Sequence, residues 1–174
     1  MKYKYIILMI VAPVIFVLDQ LTKFVIVYNV LFGDRIPVIS GYFDLVHFRN
    51  TGAAFGFLAG AADSFRVPFF YTVAILAVVF LGFFYRSLKD DERLMPIAIS
   101  LVFGGIAGNM TDRIRHGFVV DFLSFHLMDE VLDFSFFGRG YEIVLEWPAF
   151  NVADMAITCA MFILVFKMFK FKEA

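Results

Sequence analysis

Residues 67–85 read VPFFYTVAILAVVFLGFFY, a run without a charged side chain. A helix needs about 20 mainly apolar residues to cross the hydrocarbon core of a bilayer, so this run predicts a membrane-spanning helix. Three further stretches meet the same criterion, and they are residues 5–29, 94–113 and 148–169. The sequence therefore predicts a membrane α-helical fold with four transmembrane helices.

Prolines support the proposed helix boundaries. Pro68, Pro96 and Pro148 lie near the expected starts of the second, third and fourth spans, where a first helical turn has no use for the missing N–H. Pro13 falls inside the first span and is expected to bend it, which membrane helices tolerate.

Composition agrees with a membrane location. Of 174 residues, 61% are hydrophobic and 18% are charged, whereas a soluble domain is about 45–50% apolar. The 25 phenylalanines are expected to face lipid or the core. A net charge of −1 gives no basic field for nucleic acid. We expect one integral membrane domain over residues 1–174.

The connections between spans differ in character. Residues 30–66 contain alternating stretches such as YFDLVHF, with glycines and turn residues, and predict a small extramembrane β-rich sheet. Residues 86–93 are short and polar, whereas residues 114–147 are long and include VVDFLSF. The start of the chain, with two lysines before an apolar run, imitates a secretory signal. Because the hydrophobicity resumes after DQLTK without a cleavage site, we expect a retained anchor.

Basic residues predict the orientation. With four spans, six of the seven lysines fall on one side of the membrane, which the positive-inside rule assigns to the cytoplasm. The exception is Lys23, inside the first span. Both termini are therefore predicted to be cytoplasmic, with residues 30–66 and 114–147 outside.

Polar residues recur at one depth of this topology. Three spans carry them toward their outer ends: Asp19 and Lys23 in the first, Asn109, Asp112 and Arg113 in the third, Asn151 and Asp154 in the fourth. A charge at mid-membrane costs about 2.5–3.5 kcal/mol on insertion scales, so such groups should face one another or water. They outline a single site at the outer surface.

Asp121 and Asp154 suggest a hydrolytic pair. Asp121 follows the third span in VVDF, and the topology brings it to the same surface as Asp154. Two close carboxyl groups cannot both ionise, so one keeps a proton while the other acts as a base toward a water. Such a pair can activate water to attack a peptide carbonyl and protonate the leaving nitrogen.

The residues alone leave other interpretations open. Asp19 with Lys23 suits a structural ion pair, and Asn109 with Asn151 suits interhelical hydrogen bonding. For Asp112 and Arg113 a surface pair at the headgroups is favoured over a catalytic role. Asp154 would also suit a proton relay.

Other reactive residue types carry no site signal. His47, His116 and His126 lack metal-ligand spacing, so we expect no metal. Cys159 has no nearby base, and we expect packing or interface roles for all four. Gly104, Gly105 and Gly108 form a surface of small residues through which a neighbouring helix could approach.

Five motifs together resemble a known family. They are DQLTK at 19–23, NTGAAF at 50–55, GNMTDR at 108–113, VVDF at 119–122 and FNVAD at 150–154. In this order and on these elements they resemble bacterial lipoprotein signal peptidase, also called signal peptidase II. Each motif is weak alone, and the set covers most of the chain.

The resemblance implies an aspartyl endopeptidase of the bacterial cytoplasmic membrane. It would remove the signal peptide from diacylglyceryl-modified prolipoproteins, without metal or organic cofactor and without needing an oligomer. Asp121 and Asp154 match the catalytic dyad. The matching support and substrate-binding residues are Asp19, Lys23, Asn50, Gly52, Asn109, Asp112, Arg113 and Asn151. The implied fold has four membrane helices, a β-rich cradle and an outer lid.

One segment departs from the resemblance, and two rival functions stay open. Residues 123–149 are longer than expected and carry acidic residues such as Glu146 without a motif counterpart, so they predict an enlarged lid or hairpin. A proton-coupled transporter or channel would use the same carboxylates, but the polar groups lie at one depth and form no path across the membrane. A non-catalytic membrane scaffold would use them only to fix helix packing.

Overall fold

The computed structural model describes residues 2–52, 57–136 and 139–170. Its helices are α1 (Tyr3–Asn29), α2 (Asp63–Ser87), α3 (Leu94–His116) and α4 (Val152–Lys170). Its strands are β1 (Arg35–Ile39), β2 (Phe43–Asn50), β3 (Val119–Phe136) and β4 (Arg139–Glu146). Residues 53–55 of the NTGAAF motif lie outside the described residues.

Three of the described helices, α1, α2 and α3, are long and apolar enough to cross a membrane. They contain 27, 25 and 23 residues, and each residue adds 1.5 Å of length. Large apolar side chains point outward from the first two, with Phe24, Phe80 and Phe83 all about two-thirds exposed. Such a surface fits lipid rather than water. The fourth span stays a prediction.

Charged residues gather at one end of the helices. Lys2 pairs with Asp90 at 3.0 Å, and buried Lys4 donates to the carbonyl of Arg86 at 3.1 Å. Near the end of α4, Lys167 pairs with Glu92. These contacts join the start of α1, the α2–α3 turn and the end of α4, which the lysine pattern places on one side of the membrane.

Glycines on α3 admit the two neighbouring helices. A Cβ on Gly104 would lie 2.8 Å from the carbonyl oxygen of Ala12 in α1, and one on Gly105 would lie 2.7 Å from that of Ala153 in α4. Real Cβ contacts are not this short, so only glycine permits these approaches. The small-residue surface expected on this helix is confirmed as a packing surface.

A four-stranded antiparallel sheet, in the order β1-β2-β3-β4, lies beyond the opposite end of the helices. Buried Ile26 and Val30 at the end of α1 pack against Val120 and Phe122 of β3. This apolar contact fixes the sheet onto the bundle, since burying such side chains is favourable by about 1.5–3 kcal/mol each. The sheet expected after the first span is confirmed, and the hairpin of β3 and β4 extends it.

Several expected boundaries are wrong. The fourth helix begins at Val152 rather than at 148, because the backbone of Phe150 is bonded to β3. Pro148 therefore precedes the helix. The second helix begins at Asp63, since Asp63 and Arg66 form an ion pair inside its first turns, and Pro68 is not in the first turn.

The third helix continues past the expected end at 113. It reaches His116 and is closed by Gly117, whose φ is +78°. A left-handed glycine after the last helical residue is a common helix terminator. The chain then enters β3 at once, which brings VVDF back toward the helix ends.

Candidate active site

Asp121 is buried on β3, opposite Phe48 of β2. Its two carboxylate oxygens each receive an amide hydrogen bond. Asn151 donates to Oδ1 at 2.7 Å, and Asn50 donates to Oδ2 at 2.9 Å. Both donors come from motifs identified in the sequence, and they fix the plane of the carboxyl group.

Asp154 lies in the first turn of α4, where it forms a reciprocal cap with Asn151. The side chain of Asn151 accepts from the Asp154 backbone N–H at 3.0 Å. In return, the Asn151 backbone N–H donates to Asp154 Oδ2 at 3.2 Å. This is a capping box made by the sequence NVAD, and it determines where the helix begins.

The other oxygen of Asp154 faces α3. Asn109 donates to Asp154 Oδ1 at 2.8 Å, and its own oxygen accepts from Lys23 at 2.9 Å. The Asn109 side chain therefore links Lys23 of α1 to Asp154 of α4. Each carboxylate oxygen of Asp121 and Asp154 accepts one of these hydrogen bonds. Each oxygen keeps a further lone pair, which can bind a shared water.

Lys23 lies at the centre of a buried ionic cluster. Its ammonium is 2.9 Å from Asp19 and 2.9 Å from Asp112, and with Asn109 this gives three acceptors for its three protons. Asp19 also accepts from the backbone N–H of Ala153 at 2.9 Å. Asp19 thus connects α1 to the N-terminal end of α4, where a negative charge is favourable.

The preference for Asp112 and Arg113 as a surface pair is wrong. Asp112 is buried, and its Oδ2 accepts from the backbone N–H of Val120 at 3.1 Å. Asp112 therefore ties the end of α3 to β3, next to Asp121. The reason is Gly117, which turns the chain back over the helix end.

Arg113 is directed differently. It donates from Nη2 to the carbonyl of Gly52 at 2.7 Å, and its guanidinium stacks on Phe70 with 4.5 Å to the ring centroid. Gly52 has no room for a side chain, because a Cβ there would lie 2.6 Å from the carbonyl oxygen of Phe57. Arg113 therefore anchors the turn after β2 to the end of α3.

The environment of Asp121 raises its pKa to about 7. Burial is the largest cause, since it disfavours the charged form, and the nearby negative charge of Asp154 acts in the same direction. Hydrogen bonds from Asn50 and Asn151 oppose the rise. A carboxyl group that keeps a proton near neutral pH can act as an acid in catalysis.

The structure brings all ten predicted site residues into two connected groups. Asp121 and Asp154 share Asn151, Asn50 contacts Asp121 alone and Asn109 contacts Asp154 alone. The elements that carry these residues are braced by the remaining five: Asp19, Lys23, Asp112, Arg113 and Gly52. Among the described residues, no three His, Cys, Asp or Glu side chains are grouped as metal ligands.

The sequence interpretation missed two features. Gln20, inside the DQLTK motif, donates to Asp112 at 2.9 Å. Its position next to Asp19 in the sequence was a signal for this role. A second polar cluster joins Arg35, Asp44 and Glu146 in the sheet. Its members lie far apart in sequence, so only the strand pairing shows that they meet.

Comparison with known proteins supports a peptidase. A family model described as signal peptidase (SPase) II matches residues 11–170. The chain belongs to the signal peptidase II family. It is therefore a peptidase, which excludes the transporter and scaffold functions as its family activity. The motif resemblance is confirmed.

Individual members of the signal peptidase II family cover most of the chain. A lipoprotein signal peptidase of Syntrophotalea carbinolica is 46% identical over 87% of this chain and 83% of its own. One of Syntrophus aciditrophicus is 39% identical over 97% of this chain and 95% of its own. The second alignment includes nearly the whole chain.

Solved structures agree in fold. A bacterial membrane enzyme determined by the in meso method at 2.3 Å resolution superposes with a TM-score of 0.74 and 30% identity, covering 94% of this chain and 87% of that one. A second, at 1.9 Å, gives 0.71 and 28%, covering 92% and 91%. The signal peptidase II chain is thus a membrane helical protein with a small antiparallel sheet.

Proposed function

We propose that this chain removes the signal peptide from diacylglyceryl-modified prolipoproteins, with Asp121 and Asp154 as the catalytic pair. The observation that carries the proposal is the shared donor Asn151, which hydrogen-bonds Asp121 through its side chain and Asp154 through its backbone. One residue thereby contacts both carboxyl groups. The relatives are lipoprotein signal peptidases, and this name supplies the substrate class.

The reaction proceeds on a water between the two carboxyl groups. The ionised member of the pair takes a proton as the water oxygen bonds to the scissile carbonyl carbon. The protonated member donates a hydrogen bond to the oxyanion. The C–N bond then breaks as the leaving nitrogen receives a proton from the pair. The pair shares one proton, so its two apparent pKa values belong to both residues.

The surrounding residues keep this pair in position. Lys23 carries the compensating charge for the buried carboxylates Asp19 and Asp112. Asn50 and Asn109 orient one aspartate each. The mechanism uses no metal or organic cofactor, since the water is activated by a carboxylate alone. It is complete within one chain, so no oligomer is required.

Four spans and an outward-facing site complete the proposal. The start of α4 contacts the end of α3 through Asp154 and Asn109, and Lys167 near its end contacts Glu92 before the start of α3. The helix therefore runs the full length of α3, which supports a fourth span. The basic end faces the cytoplasm with both termini, and the pair lies near the outer leaflet of the bacterial inner membrane.

A substrate helix in the same bilayer meets the site at its own depth. A lipidated peptide places its scissile bond near the headgroups, where Asp121 and Asp154 lie in this topology. Membrane lipids surround the exposed apolar faces of α1 and α2, and acyl chains reach the site laterally. We assign the role of the outer lid to the β3–β4 hairpin.

The substrate class is tested with two peptides in liposomes. One carries diacylglycerol on the cysteine after the scissile bond, and the other has the free cysteine. Mass spectrometry of the products should show cleavage of the lipidated peptide before the cysteine, and little cleavage of the free one. Equal cleavage of both peptides, or of neither, would overturn the proposed substrate.

A further inference from the structure

A short antiparallel ladder connects the two proposed catalytic residues. The chain after β4 returns beside β3, where Phe150 N–H donates to the Leu123 carbonyl at 3.0 Å and Leu123 N–H donates back at 2.9 Å. Trp147 N–H donates to the Phe125 carbonyl at 2.8 Å. Asp121 and Asn151 lie just beyond this ladder. Its register therefore sets where Asp121 stands relative to the start of α4.

A charged cluster spans the far end of the same ladder. Glu146 accepts from Ser124 of β3 at 2.7 Å and from Arg35 of β1 at 2.7 Å. Arg35 also donates to Asp44 of β2 at 2.9 Å, and His126 of β3 contacts Asp44 at 3.1 Å. These contacts tie the ladder to both other strands of the cradle.

The buried contacts of this cluster hold the strands rigidly together. Ser124 and Asp44 are buried, so their hydrogen bonds cannot be exchanged for water without cost. Burial raises the pKa of Glu146, but hydrogen bonds from Ser124 and Arg35, together with the positive charge of Arg35, oppose it, and the pKa falls below its ordinary value. Glu146 stays ionised, and its bonds to Ser124 and Arg35 are of the stronger, charge-assisted kind.

We propose that Arg35, Ser124 and Glu146 are positioning residues for the peptidase, which lock the ladder and so hold Asp121 against Asp154. The inference rests on the proposed function. None of these residues belongs to the five motifs, and Glu146 lies at the base of the long hairpin. The cluster therefore provides a way for this hairpin to be fixed to the catalytic strand.

The test compares Glu146→Ala and Ser124→Ala with Glu92→Ala, using purified protein in lipid and a diacylated prolipoprotein peptide. Glu92 is a matched control, since it also forms an ion pair and its side chain is 23% exposed against 30% for Glu146. The variants are compared in kcat, in KM and in the pH dependence of kcat, after correction for folded fraction.

We expect kcat of Glu146→Ala to fall by roughly tenfold to a hundredfold with little change in KM, because misplaced catalytic groups slow the chemical step. The alkaline limb of the pH profile should move to lower pH, since a looser strand admits water and weakens the influence of Asp154 on Asp121. This variant leaves unchanged the other groups that face Asp121 or Asp154, which are Lys23, Arg113, Asn50 and Asn151. Arg35→Lys, which keeps the cation, should lose less than Arg35→Ala.

Glu92→Ala should lower the folded fraction without moving the limb. If Glu146→Ala and Ser124→Ala keep the wild-type kcat and limb, or if Glu92→Ala moves the limb equally, the positioning role is wrong. In that case, cleavage by wild type that is lost in Asp121→Asn would still support the proposed function. If wild type itself fails to cleave, the proposed function fails first.

Discussion

The side chain of Asn151 donates to Asp121 at 2.7 Å while its oxygen caps the helix that begins beside it. These two tasks can be separated. Asn151→Ser keeps a capping oxygen but lacks the amide donor, so it should fold like wild type and cleave at least about tenfold more slowly. Asn151→Ala should also lose about 1 kcal/mol of stability through the missing cap. Thermal unfolding and cleavage rates measured on both variants check this, and wild-type activity in Asn151→Ser would contradict it.

Asp121 should make the stability depend on pH. Its pKa is about 7 in the folded protein and about 3.9 in an unfolded chain. The folded state therefore binds this proton more tightly, and the associated stability is complete below pH about 4 and lost as pH rises through about 7. The melting temperature of wild type should fall from pH 5 to pH 8 by more than that of Asp121→Asn. Parallel curves for the two proteins would be inconsistent with the raised pKa.

Gly108 should not accept a methyl group. A Cβ there would lie 2.4 Å from Asp19 Oδ2, and the displaced carboxylate would lose its bond to the backbone of α4. Gly108→Ala should destabilise by about 1–3 kcal/mol. Gly82 in α2 is the control, since nothing lies within 4 Å of the position that an added methyl group would take, and Gly82→Ala should be neutral or stabilising. Denaturant titration in detergent micelles compares them, and equal effects would refute the packing argument.

Lys23 should be essential for folding. Replacing it with methionine leaves Asp19 and Asp112 buried together without their cation, and breaking a buried pair costs about 3–5 kcal/mol. Lys2→Met is the control, because Lys2 and Asp90 are exposed and water screens the attraction between exposed charges. Expression level and melting temperature report the difference. A Lys23→Met protein as stable as Lys2→Met would show that Lys23 is not needed to balance the charges of Asp19 and Asp112.

Much of the fold follows from apolar runs. A membrane span leaves a strong signal because every residue facing lipid must be apolar, and the expected ends of all four helices lie within four residues of the observed ones. The expected start of α4 is wrong, because apolar content does not stop at Pro148. The NVAD capping box is visible in the sequence and gives the correct start at Val152.

The site can be predicted from sequence as a set but not as a network. Depth in the membrane groups Asp19, Lys23 and Asp154 without knowledge of any contact. That Asp112 accepts from the backbone of Val120 depends on Gly117 reversing the chain, which spacing along α3 cannot show. The Arg35–Glu146 pair joins residues 111 positions apart, and only the register of the sheet brings them together.

The most direct measurement is the cleavage rate of a diacylated prolipoprotein peptide by purified wild type, Asp121→Asn and Asp154→Asn in lipid, with folding checked by circular dichroism. We predict that each single variant stays folded and loses at least about a hundredfold in kcat, since each removes one proton-transfer group. A chelator should leave the wild-type rate unchanged. Folded variants that still cleave near the wild-type rate would contradict the assignment of Asp121 and Asp154.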